Sequence, residues 1–558
     1  MSNQYKLKKV AYSVGLGLLV STGTAFAQES QVMEEVVATG SRLQGTASAV
    51  IEERKNQAFV ADILGSEQIS RTGDSDAASA LRRVTGLTLV DGKFIYVRGL
   101  GQRYSSARLN GASIPSPDLT RNVIPLDIFP ANVIESLSVQ KAYSPNMPAA
   151  FGGGNVDIRT KAIPTQFVSG IQIGIEGNSN NSDGYTYSRD DSGIPQALTD
   201  AIPYYRGDFG LANIIAKDNL VSGDTTAAAQ ANVINKTLAK SVPRNLTLKD
   251  ESLDPNYSAQ AFIGNSFDEE FLGGQIGFLA SLAYDNKWTY SDRSSAVTSA
   301  TPTSDCSSEL ATAEDVQNSC FDTFAESQMT TQEERLNGLF SVGYKLNNHS
   351  VSYTKIYIED NEDESEISIS QNPSQNITIA ADNEADRTHS FNYEERTLDV
   401  DQFRGQHTFL DYMGVGVDWQ YTESSAETNN PLNVAYEFTD TYDDGAYTGS
   451  FIDGAQGRAN YQFVDMEDNM KSWGGNVTLP LTFQNLEVEL KGGWDFVDRA
   501  RLYTTSSFFL DNSNSSIVVN DNESDILSIT NYLTDEFIDT NMLINFNEPI
   551  APEADDYL

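Results

Sequence analysis

From Met413 to Tyr421 every odd position is apolar or aromatic and every even one is Gly, Asp or Gln; from Leu486 to Phe496 the even positions carry the apolar residues, Gly492 excepted. A period of two sends successive side chains to opposite faces, so each run presents one apolar and one wet face. Similar runs occur at Ile171 to Ile175, Tyr257 to Ile263, Ile276 to Tyr284, Leu336 to Leu346, Val351 to Tyr357 and Trp473 to Leu481. Some are joined by turns as short as Asn347-Asn348, others by tens of Asp-, Asn- and Ser-rich residues. A soluble β-sandwich and a membrane β-barrel both use such strands. Runs of about ten residues, alternately short and long connections, and Trp288, Tyr290, Trp419, Tyr421 and Trp494 near strand ends favour the barrel.

Charge divides the 558-residue chain, whose net charge is −41. Residues 28–161 carry 14 basic and 14 acidic side chains, whereas residues 162–558 carry 20 basic against 64 acidic ones. Acidity on that scale repels phosphate backbones, so no nucleic acid is expected as a partner. Acidic loops outside a membrane account for the surplus. The first residues read as an export signal of residues 1–27: Lys6, Lys8 and Lys9 precede an interrupted apolar core from Val10 to Val20, and Ala25-Phe26-Ala27 supplies the cleavage pattern. After the first thirty residues no stretch of about 18 apolar residues follows, so helical spans are not expected.

The neutral segment carries a series of motifs in fixed order. It begins with Met33 to Arg42 (MEEVVATGSR) and continues with Ala77 to Leu89 (AASALRRVTGLTL), Tyr96 to Tyr104 (YVRGLGQRY) and Leu109-Asn110-Gly111. Pro115 to Asp118 (PSPD), Pro125 to Pro130 (PLDIFP), Ile134 to Lys141 (IESLSVQK), Tyr143-Ser144-Pro145 and Phe151 to Lys161 (FGGGNVDIRTK) complete it. In this order the series resembles the N-terminal plug of a TonB-dependent outer-membrane transporter. The resemblance implies an α+β plug domain inside a transmembrane antiparallel β-barrel, for which the family has 22 strands. It divides the chain into a signal peptide (1–27), a periplasmic TonB-box segment (28–47), the plug (48–161) and the N-terminal part of the barrel (162–558).

It implies, further, energy-coupled uptake of a small-molecule or oligomeric solute across the bacterial outer membrane, in contact with outer-membrane lipid. The partner would be the C-terminal domain of TonB, driven by its inner-membrane proton complex, and it would grip Glu34, Glu35, Val36, Val37, Ala38 and Thr39. That segment is short, with β-branched Val36 and Val37, and suits addition as a strand to a partner's open sheet edge. Arg103, Arg108 and Arg121 lie in irregular sequence where plug loops of this family face outward, and are candidate ligand contacts. Arg98 is expected to be held by plug carboxylates, and Gly99, Gly101, Gly111 and Gly152 to Gly154 to let the plug backbone turn tightly and pack against the barrel wall. Neither glycine group completes a phosphate-binding fingerprint.

Catalysis has no motif behind it: the three histidines, His349, His389 and His407, stand in neither a metalloprotease nor a hydrolase pattern. No enzyme activity, cofactor or metal site is expected. Asp360 with Glu362 to Glu364 lacks the central Gly of a calcium loop and reads as a solvated loop. Residues 28–161 contain no His, which disfavours haem as the solute, since an axial imidazole from the plug would be missing. A siderophore, an oligosaccharide or a peptide all remain open. The rival function is a surface-binding or assembly protein that uses the barrel as an anchor. A signalling transducer would need an additional domain before the TonB box, and a porin would be blocked by the plug.

Only nine or ten strand candidates follow residue 166, so the sequence reads as an incomplete barrel. Cys306 and Cys320 lie in a Ser-, Thr- and Asp-rich stretch between strand candidates; in an exported chain they are expected to be joined, which closes a loop worth roughly 3 kcal/mol by chain entropy. Non-reducing peptide mapping of native membranes should recover the bridged pair; two alkylatable thiols would refute it.

Overall fold

The computed structural model describes residues 45–547 except 58, 91, 102–103, 120–123, 148–151, 178–182, 189–192, 221–224, 245, 270–272, 299–320, 372–382, 444–445, 453–458, 484–485, 513–516 and 521–532. The export signal, the Glu34 to Arg42 segment and both cysteines therefore lie outside the described residues.

The first part is a small α+β body. Helices α1 (Ala47–Asn56), α2 (Ser66–Thr72) and α3 (Ala77–Leu81) surround strands β1 (Ala61–Gly65), β2 (Leu87–Val90), β3 (Phe94–Val97), β4 (Ser105–Leu109), β5 (Ala112–Ser113), β6 (Ile134–Gln140) and β7 (Gly154–Thr160). Five strands form one sheet in the order β1-β6-β7-β4-β5, and β2 and β3 form a separate hairpin. Strand β6 is an interior strand, between β1 and β7, and every one of its residues is buried. Helix α3 starts at a capping box: the Ser79 N–H donates to Asp76 Oδ1 at 2.7 Å and Ser79 Oγ accepts from the Asp76 N–H at 3.2 Å. Its Ala77, Ala78 and Leu81 then join Leu137, Val139 and Ile158 in one core.

The second part is a meander. After β8 (Val168–Glu176) an insertion contains β9 (Asp183–Thr186), α4 (Gln196–Tyr205), α5 (Leu211–Lys217), α6 (Thr225–Ser241) and β10 (Lys249–Ser252). Then follow β11 (Asn256–Glu269), β12 (Gly274–Thr298), β13 (Phe321–Leu346), β14 (His349–Gln371), β15 (Asn383–Phe409), β16 (Val415–Asp443), β17 (Ala446–Ile452), β18 (Ala459–Phe483), β19 (Leu486–Asn512), β20 (Ile517–Asn520), α7 (Asp535–Asn541) and β21 (Met542–Asn547). Every neighbouring pair along β8-β11-β12-β13-β14-β15-β16-β18-β19-β21 is antiparallel, while β17 and β20 branch from β16. Among the described residues β8 and β21 are the two edges of this sheet.

Every run read from the sequence falls within one of these strands, except that Met413 and Gly414 form the turn before β16, but the strands are much longer than ten residues. Strands β12 to β16, β18 and β19 have 23 to 29 residues, more than twice the roughly ten that a membrane-crossing strand needs. Strand β15 has no counterpart among the sequence runs, because its inward positions hold charge where a clean alternation would show apolar or small residues. A second difference is the helical layer: α4, α5, α6 and α7 pack Leu198, Ile214, Leu238 and Ile538, with Phe209 from the α4–α5 connection, against Phe391, Val434, Tyr461 and Phe508 of the sheet, where the sequence reading had only a polar connection. The run of Ala and Leu within Thr225–Ser241 is the helix signal that identifies it.

Cross-strand register turns alternation into horizontal bands. Tyr353, Phe403, Tyr421, Trp473 and Phe496 are directly opposed from β14 to β19, and Phe403, Tyr421, Trp473 and Phe496 are exposed. Two residues further from the short turns the same face carries Lys355, Asp401, Glu423, Lys471 and Asp498 in register, with Lys355 2.7 Å from Asp401 and Lys471 3.1 Å from Glu423. An aromatic row against a charged row is the profile of an apolar band meeting a polar boundary. Trp473→Arg should therefore destabilise the sheet in vesicles by about 2–4 kcal/mol, whereas Asp465→Arg above the charged row should change it little. Reversible urea unfolding of both variants is the measurement.

Candidate functional site

The α+β body rests on the opposite face of the sheet, where even-numbered residues of β14 and β15 point. Ile356, Ile358, Leu398 and Val400 join its core, so an apolar patch seats it. Charge surrounds that patch. Asp360 on β14 is 1% exposed and receives Arg396 of β15 at 2.6 Å and Arg335 of β13 at 3.1 Å. Arg396 also lies 3.2 Å from Glu362, 3.5 Å from Glu394 and 4.0 Å from Asp127 of the body. Lys93, beside the β2–β3 hairpin, closes the network by donating to Glu362 at 3.0 Å.

Two further ties flank this one. Asp468 of β18 is fully buried; Arg499 Nε donates to it at 2.7 Å, Arg501 stands 3.7 Å away, and the backbone N–H of Ser116 reaches it at 3.2 Å. Arg501 in turn donates to the carbonyls of Asp118 and Leu119. On β15, Gln402 accepts from Asn110 Nδ2 at 3.0 Å and donates to the Leu109 carbonyl at 3.3 Å. Loops at 109–119 are thus fixed by groups that strand alternation delivers to one face.

Burial sets the protonation behaviour on the body's side of this interface. Desolvation pushes the Asp127 carboxyl above its ordinary range, against the pull of Arg396 and Lys93. Burial and Arg396 oppose the charge on Lys93, yet Glu362 and Asp127 together hold its ammonium above the usual lysine range. Charges of opposite sign on the sheet thus offset part of the cost of burying both groups.

The sequence-derived candidates are placed unevenly. Arg108 lies on β4 with its guanidinium mostly buried, 3.2 Å from Asp495 of β19 and 3.4 Å from the Gly111 carbonyl, so its charge is engaged by the wall. Arg103 and Arg121 fall outside the described residues, as do Glu34, Glu35, Val36, Val37, Ala38 and Thr39. Arg98 is not ion-paired among the described residues; it sits at φ +53° and its N–H donates to the Gly86 carbonyl at 2.9 Å. Gly99 and Gly111 have φ of +77° and +84°, which fits the tight turns expected of them. Gly152 to Gly154 pack differently from the expectation: a Cβ at Gly154 would lie 2.6 Å from Val97 and one at Gly153 2.8 Å from Leu100, so they let the 97–104 segment approach within the same body rather than the wall.

Asp360 to Glu364 are not a solvated loop. They continue β14, and alternation turns Asp360 and Glu362 inward, where buried arginines compensate them. The missed signal was the spacing itself: Asp360 and Glu362 at a period of two, matched by Arg396 and Glu394 directly opposite on β15. Among the described residues no group of three His, Cys, Asp or Glu side chains is placed to hold a metal ion.

Residues 53–155 match the family described as TonB-dependent Receptor Plug Domain. No curated protein matches the chain. Solved structures to which it is similar include the ferric-catecholate import receptor Fiu of E. coli K12 in its open form, at 9% identity and TM-score 0.32, covering 82% of this chain and 68% of that one. The siderophore receptor PiuA from Acinetobacter baumannii follows at 11% identity and TM-score 0.28, with 82% and 64% covered. The ferric yersiniabactin uptake receptor FyuA from Yersinia pestis stands at 9% and 0.24, with 84% and 65% covered. The chain spans about two thirds of the length of these structures.

Removing Arg396 would leave Asp360 buried with Arg335 alone to compensate it. Arg396→Ala should destabilise the body–wall assembly by roughly 3–5 kcal/mol, and the double variant Arg396→Ala with Asp360→Ala by clearly less, because the stranded charge is gone too. Urea unfolding of the two singles and the double gives the coupling directly.

Proposed function

We propose that this chain, whose residues 53–155 are a TonB-dependent receptor plug domain, is an outer-membrane receptor that takes up a scarce solute with energy delivered through TonB. The observation that carries the reading is the seat of the plug: a separate small fold tied by polar groups to one face of a long-stranded antiparallel meander. Ties of charge and hydrogen bond fix the plug at one register along the strands and, once the two faces part, are replaced by bonds to water. Such an interface suits a plug that seals at rest and is displaced on demand.

In this reading residues 28–47 are the periplasmic segment, with Glu34 to Thr39 paired edge to edge to the C-terminal domain of TonB. Loops at the far end of the plug, with Arg103 and Arg121, would meet the solute. Arg108 belongs to the fixed part, since Asp495 already holds it. The solute class stays with a siderophore, an oligosaccharide or a peptide. An anchored surface-binding protein is the alternative, and it needs no coupling.

Val37→Pro separates the two. Proline removes a backbone donor and fixes φ, so it should abolish accumulation in cells grown on the limiting nutrient while surface binding persists; Val37→Ala should do modest harm. A panel of iron, carbon and nitrogen sources in a deletion strain supplies the nutrient to be labelled. Normal accumulation by the proline variant would reject coupling through this segment and favour the anchored binding protein.

A further inference from the structure

The plug is not held equally on all sides. Its polar ties given above reach β14, β15, β18 and β19, and one more joins Asn132 to Asn337 of β13 at 3.1 Å. Toward β8, β11, β12 and the near part of β13 a cavity of about 1280 Å³ lies between it and the sheet, although Leu279 and Leu339 of β12 and β13 still join its core. Glu67, Asp127, Glu135 and Lys161 line it from the plug, Ser281 and Arg335 from the sheet. Four polar atoms of its lining residues, Asp127 Oδ1, Asn132 Oδ1, Ser281 Oγ and Asn286 Oδ1, are buried with no hydrogen-bond partner. Buried polar atoms left unpaired are costly and call for water or a polar solute.

One carboxylate stands where the plug begins and where it ends. Glu135 is 6% exposed, and its Oε1 accepts the Gly45 N–H at 2.6 Å. The Gly45 carbonyl accepts from the Glu67 N–H at 3.2 Å, and Glu67 Oε2 accepts the Ala47 N–H at 3.0 Å. At the other end, the Lys161 N–H donates to the Val133 carbonyl at 3.0 Å. Burial lowers the Lys161 ammonium below its ordinary range, and the charge of Glu135 opposes that. Gly45 is bare because a Cβ there would lie 2.7 Å from the Glu135 carbonyl.

We propose that Glu135 is the gate residue of a polar solute path running between the plug and strands β11 to β13. At rest its carboxylate clasps the leading segment at Gly45 and faces Lys161, which closes the periplasmic side of the cavity. A pull on residues preceding Gly45 loads this clasp first, and its release opens the cavity on the side where the plug is least tied, while the β14–β19 side stays fixed. The path rests on the transporter reading above.

The test needs neither TonB nor a known solute. In the full chain reconstituted in proteoliposomes, with Cys306 and Cys320 replaced by Ser, a cysteine is placed at Ser281 or, as a control on the tied wall, at Ser472, which is fully buried and bonded to Gln420 at 3.0 Å. Labelling by a small charged methanethiosulfonate is timed. Glu135→Ala should raise the labelling rate at position 281 several-fold and leave position 472 unchanged; Glu135→Gln, which keeps an oxygen for Gly45, should give a smaller rise at 281 alone. An unchanged rate at 281 in Glu135→Ala, or an equal rise at both positions in either variant, overturns the proposal. Because no uptake is measured, failure here leaves the transporter reading to the Val37→Pro experiment.

Discussion

Asp360 cannot be buried unless something positive is buried with it. A carboxylate taken out of water costs several kcal/mol even after relaxation, and its place on the inner face of β14 is fixed by strand alternation, not by choice of rotamer. Arg396 and Arg335 answer that requirement from the neighbouring strands, and the excess positive charge then draws Glu362 and the plug's Asp127. Lys93 follows from Glu362. The seat of the plug is thus a chain of compensations that begins in the wall. The apolar patch of Ile356, Ile358, Leu398 and Val400 supplies contact area, but only the charges specify where along the strands the plug sits.

Period two carries much of this architecture, which is why the runs at Tyr257, Ile276, Leu336, Val351, Met413, Trp473 and Leu486 mark strands. The plug motifs were legible for a different reason: Gly99 and Gly111 occupy left-handed backbone, and Asp76 with Ser79 caps a helix, so local geometry demanded those residue types. What escaped the sequence reading was long-range. Strand β15 looks polar because its inward residues answer partners on β14, and the Asp360 to Glu364 run looks like a loop until Arg396 is placed opposite it. The Gly152 to Gly154 partners, Tyr104, Leu100 and Val97, are some fifty residues away, so no local signal names them.

The helical layer poses the reverse problem. Tyr436 and Tyr461 face each other with hydroxyls 3.0 Å apart, and both donate to the Pro243 carbonyl. Residue 243 follows α6, so two adjacent strands grip the end of the insertion. That contact lets the long strands bury Phe391, Val434 and Phe508, which would otherwise be apolar surface beyond the charged row. The insertion therefore stabilises the upper wall, and the upper wall orders the insertion; neither requirement is visible in the local pattern of the other.

Uneven attachment follows from the same accounting of polar groups. Where wall residues carry charge, as on β14, β15, β18 and β19, the plug must come close enough to complete each pair. Along β12 the wall presents Ser281, Ala283 and Asp285 to the cavity, where Ser281 Oγ and the plug's own Asp127 Oδ1 and Asn132 Oδ1 are left without partners. A force that displaces the plug meets least resistance toward the side with fewest pairs to separate, since each buried pair broken leaves two charges to be solvated. The direction of opening then follows from which strands pair their inward charges with the plug, a property made mechanical only when those strands are set side by side.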